Sequence, residues 1–190
     1  MTTKQGRPRQ YDLRPLAEFA DPGVALLAAA LDELRARVID QVADLSDAAL
    51  AQVPEGLTFS IGALVVHMVW AEMGWIRRAT GVDAPFDMHE RLDPLGRALP
   101  AGERVTPEFS AVELAAYCRR VRDELTVPAL AALADLDAVV DDPDRPTTVR
   151  GILMHLVWHW TYHSGQVGLL RDLCAASEYR WTFGRMGTRD

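Results

Sequence analysis

Three histidines recur at every fourth position in the stretch HLVWHWTYHSGQ, residues 155–166: His155, His159 and His163, with Gly165 and Gln166 directly after them. On an α-helix a four-residue step returns to nearly the same face. Ile152, His155, His159, His163, Gln166 and Leu170 therefore share one stripe, and the imidazoles continue an apolar seam. A core-facing imidazole needs partners for both ring nitrogens, because an unpaired buried polar group costs about 1–3 kcal/mol. Three of them on one seam call for a shared partner, and a metal ion is one. Two histidines four apart reach one ion from adjacent turns, and a third from another helix completes a three-nitrogen face that leaves positions for water or substrate.

His67 is the natural third ligand. It sits in SIGALVVHMVWAE at the edge of an apolar helix face, where Ala63, Ala71 and Gly74 leave room beside its ring. His159 and His163 lie nearest the middle of their seam and are expected to take the metal, with His155 making a supporting hydrogen bond; the plainer reading of His155 is an end-of-helix histidine near solvent. A lone HxxxH pair is a weak signal, since satisfied core histidines are common. The third histidine, the Gly-Gln ending and the small residues around His67 strengthen it.

The chemistry is not that of a zinc protease, because Trp160 stands where HExxH would place its glutamate. Glu72 is five residues beyond His67, about 140° round the helix, so it is no same-face ligand. On the buried side it requires a partner, an imidazole N–H or Arg150, and is expected as a supporting group; a solvated edge glutamate is the alternative. His89, with Asp87 and Arg91, either lines a pocket mouth or is a surface histidine. Cys118 and Cys174 lack CxxC spacing and read as small core residues. Trp70, Trp75, Trp158 and Trp160 are expected to pack between helices, or one of them to wall a pocket.

Helices must present these residues, and the sequence offers four. Asp21 and Pro22 have the form of an N-cap and a first helical residue, followed by Val24, Leu27, Leu31, Leu34, Val38, Val42 and Leu45 at three- and four-residue steps. After a short turn capped by Ser46-Asp47, a second helix opens at Thr58 or Ser60 and runs to about Thr80. The 81–106 stretch, with Pro85, Pro94 and Pro100, reads as a connection long enough to run the length of a bundle, so that helices two and three can be parallel. A third helix begins near Thr106-Pro107 and is kinked or ended at Pro128, with a second piece to about Leu136. After a turn at 141–146, Thr147 or Thr148 caps the histidine helix, which extends to about Ala176. Residues 1–20 read as an arm laid on the body with Tyr11, Leu13, Leu16 and Phe19 as anchors. In the 177–190 tail, Tyr179, Trp181 and Phe183 are expected to pack on the body or on a second subunit.

The 190 residues suit one domain over 1–190 with a core at 22–176, large enough to fold without a disulfide. The composition, 49% hydrophobic and 25% charged, is that of a soluble globular chain. A formal net charge of −7 argues against a nucleic-acid surface, and no apolar run reaches the length of a membrane span. The lone cysteines and the absence of an apolar leader fit the cytoplasm.

The histidine in SIGALVVHMVWAE and the run TVRGILMHLVWHWTYHSGQVGLLRDL resemble the DinB/YfiT-like superfamily, chiefly through HxxxHxxxHxGQ, over roughly residues 22–176. The resemblance implies an all-α four-helix bundle with a long crossover between helices two and three, often dimeric. It implies a divalent metal on His67, His159 and His163, and a thiol-dependent S-transferase or isomerase using a low-molecular-weight thiol such as bacillithiol or mycothiol. Ser164 departs from the pattern, standing where an arginine is common before Gly-Gln, so a basic residue would have to come from elsewhere.

Two readings follow. In the favoured one a thiol bound at the open positions of the metal attacks a small electrophile. In the other, a non-catalytic, metal-binding or stress-related bundle uses the same site for stability or sensing. Zinc or nickel is the favoured ion; iron and copper also accept three imidazoles.

Overall fold

The computed structural model describes residues 2–10, 13–106, 108–133, 135–141, 147–174 and 177–182. The chain is mostly helical, in keeping with an all-α fold. Helix α1, Pro22–Val42, starts where Asp21 accepts from the Gly23 and Val24 amides with Pro22 in the first turn. Ser46 caps the short α2, Asp47–Ala51, and Ser60 caps α3, Ile61–Thr80, by accepting from Ala63 N–H. Gly81 ends α3 in the left-handed region, at φ 75°.

The connection after α3 contains a helix that the sequence reading did not anticipate, α4, Phe86–Ala98. Met88, Leu92 and Gly96 are buried at four-residue spacing, a helical signal obscured by Pro85, Pro94 and Pro100. After it, Val105 bridges Phe59 in parallel sense, bringing the chain back beside the start of α3. Helix α5, Ala111–Arg120, begins later than expected, at a reciprocal capping box between Ser110 and Glu113; Pro107 lies outside the described residues.

The expected break at Pro128 is met by a wider turn. A π segment, Val121–Thr126, carries the chain into α6, Val127–Ala131, and the Val127 amide reaches back five residues to the Arg122 carbonyl. The expected helical piece to Leu136 is thus shorter. Helix α7, Val149–Cys174, follows, with Thr148 Oγ1 accepting from Gly151 N–H at 3.1 Å.

Two small sheets lie outside the helical pattern. Strand β1, Thr2–Pro8, pairs in parallel with β4, Ser177–Thr182, while β2, Val139–Val140, pairs with β3, Thr147–Thr148, in antiparallel sense. The arm thus ends in a strand on the tail, an association between chain ends that local periodicity cannot signal. Tyr179 is buried, its hydroxyl donates to Asp40, and its ring fills the space that a Cβ on Gly6 would need. Tyr11, named as an anchor of the arm, and Phe183, expected to pack from the tail, lie outside the described residues, as do residues 142–146, the Trp181 side chain and the expected helix end at Ala176.

Helix α7 packs on α1 and α3, α3 also carries α4, and the α5 and π segments close against α1 and α3. Leu31, Val38, Leu64, Met68, Leu125, Leu153, Leu156 and Trp160 fill the space between them. A buried polar group crosses this core: Arg35 from α1 donates through Nε and Nη2 to the Glu72 carboxylate of α3, and Thr126 of the π segment donates to the same carboxylate. Glu72 is wholly buried and is neither the solvated residue of the plainer reading nor the partner of Arg150, which pairs with Asp137 instead. Burial of its carboxylate inside the bundle selects the arginine that reaches into the same core from α1.

Candidate metal centre

Helix α3 delivers His67 from its buried middle, and α7 delivers His159 and His163 from the turns facing it. His67 and His163 are buried and His159 is half-buried. The three side chains each offer a ligand atom within 4.8 Å of the others. The Nε2 atoms of His67 and His159 stand 3.2 Å apart. Two imidazole nitrogens on one tetrahedral zinc, each about 2.1 Å from it, would be roughly 3.4 Å apart, so the observed spacing fits a shared ion.

The outward nitrogens support this. His67 Nδ1 lies 3.3 Å from the Gly96 carbonyl, which can only accept, so the proton sits on Nδ1 and the Nε2 lone pair turns inward. His163 Nδ1 lies 2.6 Å from Gln166 Oε1, the same arrangement one helical turn along. His159 Nδ1 is buried with no partner among the described residues, and its Nε2 can donate to His67 when no ion is bound. A cation at the centre lets all three Nε2 atoms act as bases together. Burial pushes the basicity of each imidazole down, and for His159 the neighbouring imidazoles add to it, bringing its pKa to about 3. Each ring is therefore neutral at pH 7, as a ligand must be.

The partner of His67 comes from α4, within the stretch read as a connection. Gly96 lies flat on Trp70; a Cβ there would stand 2.2 Å from Trp70 Cγ. Trp70 Nε1 in turn donates to Asp93 at 2.7 Å, one turn earlier on α4. Sequence reasoning missed Gly96. Its only signal was a glycine at the spacing of Met88 and Leu92.

Among the described residues, the neighbours of the His155 ring are other rings. Its ring lies 4.6 Å from that of Trp75, 5.7 Å from Trp158 and 5.9 Å from His159, so it meets the site by ring contact. The reason is its position one turn before His159, where α3 presents Trp75 rather than a polar group. Glu72 likewise bonds Arg35 and Thr126 and no imidazole. Ser164 is buried about 100° round α7 from His163, where it accepts from Gln41 Nε2 at 2.9 Å.

Beside the histidines a cavity of about 430 Å³ opens, lined by His67, His155 and His159 together with Trp70, Trp75 and Arg78, and by Ala71, Gly74 and Pro100. His89 is not in this lining; it is half-buried on α4, while Asp87 pairs with Arg120 and Arg91 lies over Phe109. Of the four tryptophans expected between helices, Trp160 is fully buried, Trp70 and Trp75 wall the cavity, and Trp158 is exposed. Cys118 is a buried core residue whose thiol is pushed up to about 12 by desolvation, which removes it as a nucleophile.

Among known protein families, the model of the mycothiol-S-transferases matches residues 26–176, from within the first turns of α1 to beyond the end of α7, with every residue of the centre included. No curated protein matches the chain.

Proposed function

The chain belongs to the mycothiol-S-transferase family, within the DinB/YfiT-like superfamily, and on that premise we propose that it is a divalent-metal-dependent thiol S-transferase acting on a small electrophile. The observation that carries this reading is the convergence of three imidazole side chains beside an aromatic-walled cavity. His67, His159 and His163 are the ligands in this reading, and zinc or nickel suits three imidazoles, with iron as a further choice. The ion would supply the positive charge that keeps a bound thiol ionised near neutral pH.

The protein's own residues then orient and shelter the reactants. Gly96 and Gln166 fix which nitrogen of His67 and of His163 faces inward. Trp70, Trp75 and Pro100 cover the approach and reduce water beside the sulfur. The thiol proton passes to solvent, and the sulfur gives its electron pair to the electrophilic carbon. As the S–C bond forms, the bond to the leaving group breaks with its pair. The family points to a low-molecular-weight thiol, mycothiol, as the sulfur donor.

The architecture belongs to the same reading. We take α1, α3, the α5–α6 segment and α7 as the four members of a single bundle domain over 1–190, with 81–106 as its crossover; the Phe59–Val105 bridge supports the return of that crossover along α3. Among the described residues no helix is long and apolar enough to cross a membrane, which accords with a cytoplasmic role. Homodimer formation is part of the proposal and is supported by an exposed apolar stripe on α7.

The test is elemental analysis of protein purified without a histidine tag, followed by a turnover assay with mycothiol and an activated aryl halide. One equivalent of metal and thiol-dependent product are expected. Metal without turnover would favour a non-catalytic metal-binding bundle, and absence of metal after supplementation would remove the centre.

A further inference from the structure

Gly74 lies well inside α3, where a residue without a side chain weakens a helix relative to alanine. Neither usual reason for a glycine applies there. Its φ is not in the left-handed region, and a Cβ would meet nothing within 4 Å, unlike Gly96, whose Cβ position is taken by Trp70. What Gly74 does border is the cavity beside the histidines.

Round α3 the residues that face this cavity form a trough. His67, Ala71 and Gly74 lie within about 60° of one another, while Trp70 and Trp75 stand to either side, about 140° apart. The floor beyond His67 is one methyl group and one hydrogen, and the walls are flat indoles. Both walls are held in place. Trp70 donates to Asp93 at 2.7 Å, and the Trp75 ring packs against that of His155 at 4.6 Å and against the Arg78 guanidinium at 5.2 Å. Arg78 is already engaged within the protein, so it ends the trough as packing and is no open cation. No carboxylate is among the described residues that line it.

We propose that this trough seats the electrophilic co-substrate, that Gly74 sets its width, and that the molecule selected has a planar, uncharged aromatic body. The proposal rests on the metal and thiol reading for the chemistry at the histidine end. There the thiol sulfur attacks a carbon on or beside the ring: the S–C bond forms, the leaving group departs with its electron pair, and the thiol proton goes to solvent. The selectivity rests on the trough alone. A planar ring gains offset-stacked or edge-on contacts with indoles that a saturated ring of similar size does not make. A charged body would lose its hydration between apolar walls without gaining a partner. The seven residues from His67 to Gly74 rise about 10.5 Å, which admits one ring or two fused rings. The cavity volume, about 430 Å³, is in the usual range for small-molecule sites.

The probe is 2-naphthamide, compared with its saturated, non-planar counterpart decahydro-2-naphthamide, by calorimetry on zinc-loaded, tag-free protein and again after the zinc is removed. The wild type should prefer naphthamide roughly 2- to 10-fold, the usual size of aromatic contacts, and Trp75→Leu should narrow that preference. Gly74 is exposed with open space above it, so Gly74→Leu is expected to fold and to keep its zinc while its side chain occupies the trough. It should weaken naphthamide roughly 10-fold or more and leave mycothiol binding unchanged. Equal affinities for the two amides in the wild type, or a preference untouched by Trp75→Leu, would overturn the proposal. So would naphthamide binding that survives Gly74→Leu or vanishes with the zinc, since the ligand would then lie outside the trough or on the ion. A clear preference of the zinc-free protein for 2-naphthoate over naphthamide would overturn the uncharged body. If Gly74→Leu weakens mycothiol as much as naphthamide, the trough seats the thiol and the co-substrate assignment fails. Failure of the metal and thiol reading is separate: it shows as absent zinc or absent mycothiol binding, with naphthamide still bound and still lost in Gly74→Leu.

Discussion

At the scale of single residues, the site depends on which nitrogen of each imidazole carries the proton. The Gly96 carbonyl settles this for His67 and Gln166 does so for His163, whereas His159 keeps an unpartnered Nδ1. His67→Ala, His159→Ala and His163→Ala are each expected to abolish stoichiometric metal, because two nitrogens from one or two helices leave the ion to water. Gln166→Leu should retain metal with affinity reduced by roughly 10- to 100-fold, the usual effect of losing a ligand's outer hydrogen bond. His155→Ala, which removes no hydrogen bond to a ligand, should leave metal at one equivalent. Elemental analysis after dialysis against graded chelator ranks all five. Full metal in His67→Ala, or loss in His155→Ala, would show that the ligand set is wrong.

Between elements, two contacts hold α3 in register with its neighbours, and each predicts a different failure. The α4 contact is short-range and specific to the site. Because a Cβ at position 96 would stand 2.2 Å from Trp70 Cγ, Gly96→Ala must move α4 off α3 and carry the carbonyl away from His67. The expected outcome is metal affinity weakened to about the extent of Gln166→Leu, with far-UV circular dichroism unchanged. Undiminished affinity would mean that α4 plays no part in orienting His67. The Arg35–Glu72–Thr126 group is instead a matter of stability. Glu72→Leu leaves a buried guanidinium without its carboxylate, and breaking such a pair costs about 3–5 kcal/mol. A fall in Tm of several degrees should follow, read by thermal unfolding of the zinc-loaded protein, and an unchanged Tm would indicate that Arg35 finds adequate compensation in Asp32.

For the molecule as a whole, the exposed side of α7 carries a run of large apolar side chains among the described residues. Met154, Trp158, Tyr162, Leu169 and Leu173 follow one another along it, all more than half exposed. Trp158 and Tyr162 stack on each other, and the Tyr162 ring stands 5.1 Å from that of His163. A stripe of this kind is unusual on a monomer and, in a symmetric pair, would meet its own copy. Light scattering at micromolar concentration should give twice 21.0 kDa, and Trp158→Glu should reduce it to 21.0 kDa. A wild type already at the smaller mass would exclude the dimer.

Much of this was legible in the sequence, because it is local. The caps at Asp21, Ser46 and Ser60 act on amides two or three residues away, and the four-residue histidine spacing is a property of one helix. His67 could be proposed from its own helix face alone. What the tertiary structure decided are contacts between segments distant in sequence. The parallel pairing of β1 with β4 joins the two ends of the chain, and neither strand shows an alternation that names its partner. Glu72 required a cation, but only the bundle, in which Arg35 of α1 reaches across the core to α3, made that cation Arg35 instead of Arg150. Pro85, Pro94 and Pro100 made 81–106 read as loop, since proline penalises an isolated helix; burial of Met88 and Leu92 against α3 offsets that penalty and makes it one. Gly96 then orients His67 through a backbone carbonyl, a group every residue carries and no residue type announces.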